Sequence, residues 1–115
     1  MPKIASRAKC LRIYIGETDH YNGRALYQAL VEKAKALDMA GATVFRGVMG
    51  YGANSRIHTA KITDLSSDLP LMVEIIDSEP YINKLLPYLD EMLQEGLVTI
   101  EDVEVIKYGK KPPIR

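Results

Sequence analysis

Thr43-Val44-Phe45-Arg46-Gly47-Val48-Met49-Gly50-Tyr51-Gly52-Ala53-Asn54-Ser55-Arg56-Ile57-His58-Thr59 is the stretch on which the reading of this chain turns. Its first half reads as a strand, Thr43 to Gly50, with Phe45 and Met49 directed one way and Val44, Arg46 and Val48 the other. The strand runs into Gly50 and Gly52, and the chain then stays mostly polar until another apolar strand opens at Leu71. A connection from Gly52 to Leu69 is longer than compact domains ordinarily tolerate without a functional reason, so it reads as a binding loop. Glycine suits the base of such a loop. Lacking a Cβ, it can take a positive φ and lets backbone N–H groups approach an anionic ligand closely. The competing use of Gly47, Gly50 and Gly52 is a bulge and a turn at a strand end, which on the residues alone is the commoner one.

Working outward, Leu11-Arg12-Ile13-Tyr14-Ile15 alternates as a half-buried strand does. Arg24 to Ala40 carries Leu26, Leu30, Ala34 and Leu37 at helical spacing, with Asn22 as its cap and Gly41 at its stop. Beyond the long loop, Leu71 to Asp77 is a strand. Ile82, Leu85, Leu86, Leu89, Met92 and Leu93 then mark a second helix, capped by Asp77 or Ser78 and closed by Gly96. Pro80 fits its first turn, while Pro87 removes an internal hydrogen bond and is expected to bend it. Val103 to Tyr108 reads as the last strand, with Val98 to Ile100 as a short extra one. The order strand, helix, strand, strand, helix, strand predicts an α+β, ferredoxin-like βαββαβ sandwich: an antiparallel sheet with both helices on one face. The other face is expected to carry Arg12, Tyr14, Arg46, Glu74 and Glu104 among Val44 and Val48, with Arg46 paired to Glu74. Such a mixed surface is either an oligomer interface or a solvated sheet face.

Length and charge narrow the function. At 115 residues the chain is expected to form one domain, 1–115. Fifteen basic residues balance fifteen acidic ones, so no overall field draws nucleic acid or an acidic membrane surface, and any anion site must be local. Cys10 has no internal partner, and no N-terminal apolar run is long enough for a signal peptide or membrane span; a cytoplasmic location is expected. His20, His58 and Cys10 have no metal-ligand spacing, so no metal site is expected. Cys10 reads as a small core residue. Ser55, Ser66 and Ser67 lack a nucleophile context, and pairs such as Glu101 and Asp102 diverge on neighbouring positions. No catalytic residues are therefore assigned. Seven tyrosines against one phenylalanine suit surfaces that are part apolar and part wet, and Tyr51 is the one to connect with a ligand.

This element order, together with TVFRGVMGYGANSRIHT from Thr43 to Thr59, resembles the PII-like family called domain of unknown function 190, over nearly the whole chain from Cys10 to Tyr108. It is also similar, more distantly, to the PII signalling proteins themselves, whose second strand ends in a glycine-x-glycine step before a long loop. The resemblance implies a homotrimer with nucleotide pockets between subunits, and a loop that contacts a partner, often a membrane transporter or channel. It implies adenine-nucleotide binding by Gly50, Tyr51, Gly52, Ala53, Asn54 and Ser55, with Lys107 from the C-terminal part. No cofactor is required, and the expected ligand is AMP or ADP. Two departures bear on which. The basic loop after the second helix is replaced by Glu95 to Asp102, with no lysine or arginine, and the C-terminal arginine pair by Lys107, Lys110 and Lys111. A triphosphate would find too few cationic partners, which favours AMP. The glutamine that helps bind 2-oxoglutarate is also missing, with Asn54 and Ser55 in that region.

The competing classes are a small ferredoxin-like enzyme, against which stands the lack of a nucleophile, base and oxyanion set, and a structural oligomer without a small ligand.

Overall fold

Alternation of apolar residues in the first strand produces a longer element than the core of the pattern alone. The computed structural model describes residues 6–52, 57–59 and 68–109, and in it β1 runs Arg7–Gly16. Then come β2 (His20–Tyr21), β3 (Arg24–Ala25), α1 (Leu26–Ala36), β4 (Thr43–Arg46), β5 (Met49–Gly50), β6 (His58–Thr59), β7 (Pro70–Asp77), α2 (Glu79–Met92) and β8 (Leu97–Glu104). The main sheet has the order β4-β7-β1-β8, antiparallel throughout. This is the ferredoxin-like arrangement that the element order predicts.

The core lies between one sheet face and the two helices. Leu11, Ile13 and Ile15 of β1, and Leu71, Val73 and Ile75 of β7, meet Leu26, Ala29, Leu30 and Ala34 of α1 and Ile82, Leu85, Leu89 and Met92 of α2. On each helix the buried residues fall three or four positions apart, so that one stripe reaches the sheet. Pro87 sits inside α2, whose helical span continues past it to Met92. Asp77, fully buried, ties the connection after α1 to the start of α2: its carboxylate accepts from the backbone N–H of Ala40 (2.8 Å) and of Ser78 (2.7 Å). Ser78 holds the N-cap position without a side-chain cap bond.

Several boundaries differ from expectation, each for a local reason. Asn22 does not cap α1. With φ +52°, followed by Gly23 at +76°, it turns the β2–β3 hairpin, in which His20 pairs with Ala25 and Tyr21 with Arg24. Positive φ at both turn residues matches strand twist, and Asn-Gly is the dipeptide that accepts it. At its other end α1 stops at Ala36, before Asp38 at φ +59°, and not at Gly41. The strand expected over Thr43 to Gly50 is broken at Gly47 and Val48: Gly47 donates to the Pro70 carbonyl (2.7 Å), and Met49–Gly50 leaves the sheet to pair with His58–Thr59. The last strand is Leu97–Glu104, since Leu97 to Glu104 pair in register with Tyr14 to Arg7; Val105 to Tyr108 lie beyond it.

Register also corrects the open sheet face. Val44 pairs with Val73 and packs on the core, and Arg46 pairs with Leu71 on that same side. Glu104, opposite Arg7, has the parity of the helix-covered face as well, and Val48 lies in no strand. The residues across the open face are Phe45, Met72, Tyr14 and Leu97 in one row, then Thr43, Glu74, Arg12 and Thr99 in the next. Arg12 bonds Glu74 (3.1 Å) and Glu101, and these carboxylates raise its already high pKa. The expected Arg46–Glu74 pair is therefore absent: Arg46 bonds Glu17. Cys10 is buried but belongs to this face, outside the helix-side core; burial pushes its thiol pKa up.

Candidate functional site

Where β1 ends and the long connection begins and returns, the chain encloses a cavity of about 750 Å³. That is within the range of about 300–1,000 Å³ that small-molecule sites occupy. The apolar row of the open face forms its floor: Phe45, Met72, Tyr14 and Leu97, one from each strand of the sheet. Three of these apolar side chains stay uncovered, at 47% exposure for Phe45, 40% for Tyr14 and 57% for Leu97. Large flat side chains left open beside a concavity suit a nucleobase or another flat apolar group.

The walls are built from chain that turns. On one side stand Met49, Gly50, Tyr51 and Gly52; on the other Gly16, Asp19, Asp68 and Pro70; Glu95 and Gly96 close the end beside β8. Hydrogen bonds fix the second wall closely. Glu17 N donates to the Leu69 carbonyl (2.8 Å), Thr18 N to Asp68 Oδ1 (2.9 Å) and Gly16 N to Asp19 Oδ2 (2.9 Å). The chain returning from the long connection is thus clamped to the turn after β1. Arg46 reaches the same turn through its bond to Glu17.

The glycines at the loop base work differently from the expectation. Positive φ occurs, among the described glycines, at Gly23, Gly96 and Gly109, and so not at Gly50 or Gly52. What Gly50 needs is space: a Cβ there would lie 3.1 Å from Pro70 Cγ. Around Gly52 a Cβ would meet no atom of the described residues within 4 Å, so nothing in their packing demands glycine at that position.

Of the site residues predicted from sequence, Gly50, Tyr51 and Gly52 line the cavity together. The segment from Ala53 to Asp68, which its few apolar anchors and loop-prone residues predict to be mobile, lies mostly outside the described residues, Ala53, Asn54 and Ser55 among them. Lys107 is not brought to the cavity. It follows β8 at the end where Glu104 pairs with Arg7, whereas the cavity lies at the Leu97 and Gly16 end of the sheet. There the chain continues across the sheet end, with Tyr108 donating its hydroxyl to the Ala40 carbonyl (2.6 Å). Reading the sequence alone missed Phe45, Met72 and Leu97, which enter the site through cross-strand register, and Asp19, Asp68 and Glu95, which enter through turns. Alternation within each strand was visible; which residues stand side by side was not.

A family model described as "Uncharacterized ACR, COG1993", the domain of unknown function 190, matches residues 8–105. A UPF0166 protein of Aquifex aeolicus is 43% identical over 100 residues, covering 87% of this chain and 94% of that one. Among solved structures, a protein of Thermus thermophilus described as PII-like superposes with a TM-score of 0.63 at 23% identity, over 87% of this chain and 90% of the other. CPII of Thiomonas intermedia, a nitrogen regulatory PII-like protein bound to ADP, AMP and bicarbonate, superposes with a TM-score of 0.60 at 19% identity, over 88% of this chain and 90% of the other.

Proposed function

The chain belongs to the domain of unknown function 190 family, and on that premise we propose that it is a non-catalytic PII-like regulatory protein that binds an adenine nucleotide at the base of its long connection. The observation that carries the reading is the cavity itself, which joins an apolar floor able to take a base to the Gly50-Tyr51-Gly52 step. Backbone N–H groups at such a step can approach a phosphate without a side chain between them. AMP is the favoured ligand, ADP the next, because the segment from Glu95 to Asp102 has no lysine or arginine to compensate a triphosphate.

The protein works, in this reading, as a single-domain cytoplasmic homotrimer with its cavities at subunit clefts. Lys107, remote from its own chain's cavity, would serve a neighbouring subunit's. The segment between Gly52 and Leu69 contacts a partner protein, a membrane transporter or channel being the class that the family resemblance implies. Holding each residue of that segment costs about 1–2 kcal/mol of backbone entropy, so a ligand clamps a part of it and thereby switches what the partner meets. Calorimetric titration with AMP, ADP, ATP, cyclic AMP and S-adenosylmethionine tests the assignment. Saturable binding of an adenine nucleotide is expected; heat from none of them would leave a structural oligomer as the better account.

A further inference from the structure

The cavity that we assign to the nucleotide has a charge pattern that a phosphate site ordinarily avoids. Three carboxylates, Asp19, Asp68 and Glu95, line it, and Arg46 is the one cation among the described lining residues. That cation is already bonded to a fourth carboxylate, Glu17. Resting on the nucleotide reading, we infer that this acidic wall is a specificity filter that admits an adenine ligand with one phosphate and rejects those with more, Asp68 and Glu95 being the residues that set it.

Geometry fixes two of the three carboxylates, Asp19 and Asp68. A Cβ on Gly16 would stand 2.9 Å and 3.0 Å from the two Asp68 oxygens and 3.2 Å from Asp19 Oδ1, so both carboxylates converge on the same bare stretch of backbone. Each is held by a backbone N–H, Thr18 to Asp68 and Gly16 to Asp19, and neither can swing out of the cavity without losing that bond. A carboxylate has about four lone-pair sites, and one N–H occupies one of them. Charges of one sign fixed in a concave site reinforce one another across it. The sugar hydroxyls and amino group of adenosine can donate to such a wall. Each added phosphate instead brings negative charge against it.

The test compares adenosine, AMP, ADP and ATP by calorimetry in chelator-treated, magnesium-free buffer at about 50 mM and about 300 mM salt, a range over which screening of surface charge changes strongly. At low salt the affinity is expected to fall about tenfold or more from AMP to ATP, and the gap to narrow at high salt, because salt screens a repulsion. In the variant Asp68→Asn/Glu95→Gln, which keeps an acceptor oxygen for Thr18 N, ATP should gain about tenfold on adenosine. Two results would overturn the filter while leaving nucleotide binding in place: ATP affinity at or above that of AMP that weakens as salt rises, or an ATP-to-adenosine ratio unmoved by the double substitution. Binding of none of the four compounds to the parent protein would overturn the nucleotide reading and the filter with it. The salt series uses the parent chain and so decides the matter even where the variant folds poorly.

Discussion

Gly96 carries the sharpest residue-scale constraint. Its φ of +132° lies where side-chain-bearing residues rarely go, and a Cβ there would stand 2.8 Å from the Tyr14 carbonyl oxygen, a backbone atom that cannot step aside. It lets the chain leave α2 and lie against β1 at the cavity's end. Gly96→Ala is expected to destabilise the fold by about 2 kcal/mol or more, from the Gly-specific conformation and the close approach together. A denaturant midpoint equal to that of the parent would show that the turn relaxes freely. Gly52 is the contrasting case, with no positive φ and no atom of the described residues within 4 Å of where a Cβ would stand. From sequence these glycines look alike, because only the backbone around each tells a crowded one from an open one.

At the scale of elements, Asp77 links the end of α1's connection to the start of α2 from inside the core. Asp77→Ala removes the acceptor for two backbone N–H groups in a fully buried position and is expected to cost about 2–4 kcal/mol. Thermal unfolding is the check, and a change under about 0.5 kcal/mol, the scale of an ordinary surface substitution, would mean that water takes over both donors. The strands and helices themselves were legible because apolar spacing reports which face is buried. The stripe Ile82, Leu85, Leu89, Met92 was found in the structure as read. What escaped was governed by turns. Asn22-Gly23 is a hairpin turn whose two-residue strands are too short to alternate, so the helical spacing from Leu26 onward is the stronger signal there. Val103 to Tyr108 looked like a strand because its composition is β-prone, yet pairing with β1 starts at Leu97 and ends at Glu104. The candidate site was legible in its glycine-x-glycine base and in Tyr51. Its floor was not, since it depends on the register of four strands.

For the molecule as a whole, the charged row Thr43, Glu74, Arg12 and Thr99, next to the cavity floor on the open face, is what a trimer would bury. Light scattering is expected to give a trimer mass. Glu74→Lys should weaken it, since Glu74 bonds Arg12 at 3.1 Å on the open face and a lysine there sets like charges together in a partly desolvated contact. A concentration-independent monomer would defeat the trimer, and an unchanged mass and melting temperature in the variant would leave Glu74 facing solvent. The central claim, that the glycine step at the loop base holds a nucleotide, is best tested at Gly52, because a Cβ there would meet no atom of the described residues within 4 Å. Valine at that position should leave the melting temperature unchanged while blocking the space next to the backbone that a phosphate needs. Loss of two charge-assisted hydrogen bonds, at roughly 1.5–3 kcal/mol each, corresponds to about a hundredfold or more in affinity. The measurement is a calorimetric titration of AMP into the parent and Gly52→Val side by side: binding by the parent weakened about a hundredfold or more in the variant is the predicted result, and equal AMP affinity in both would contradict the account.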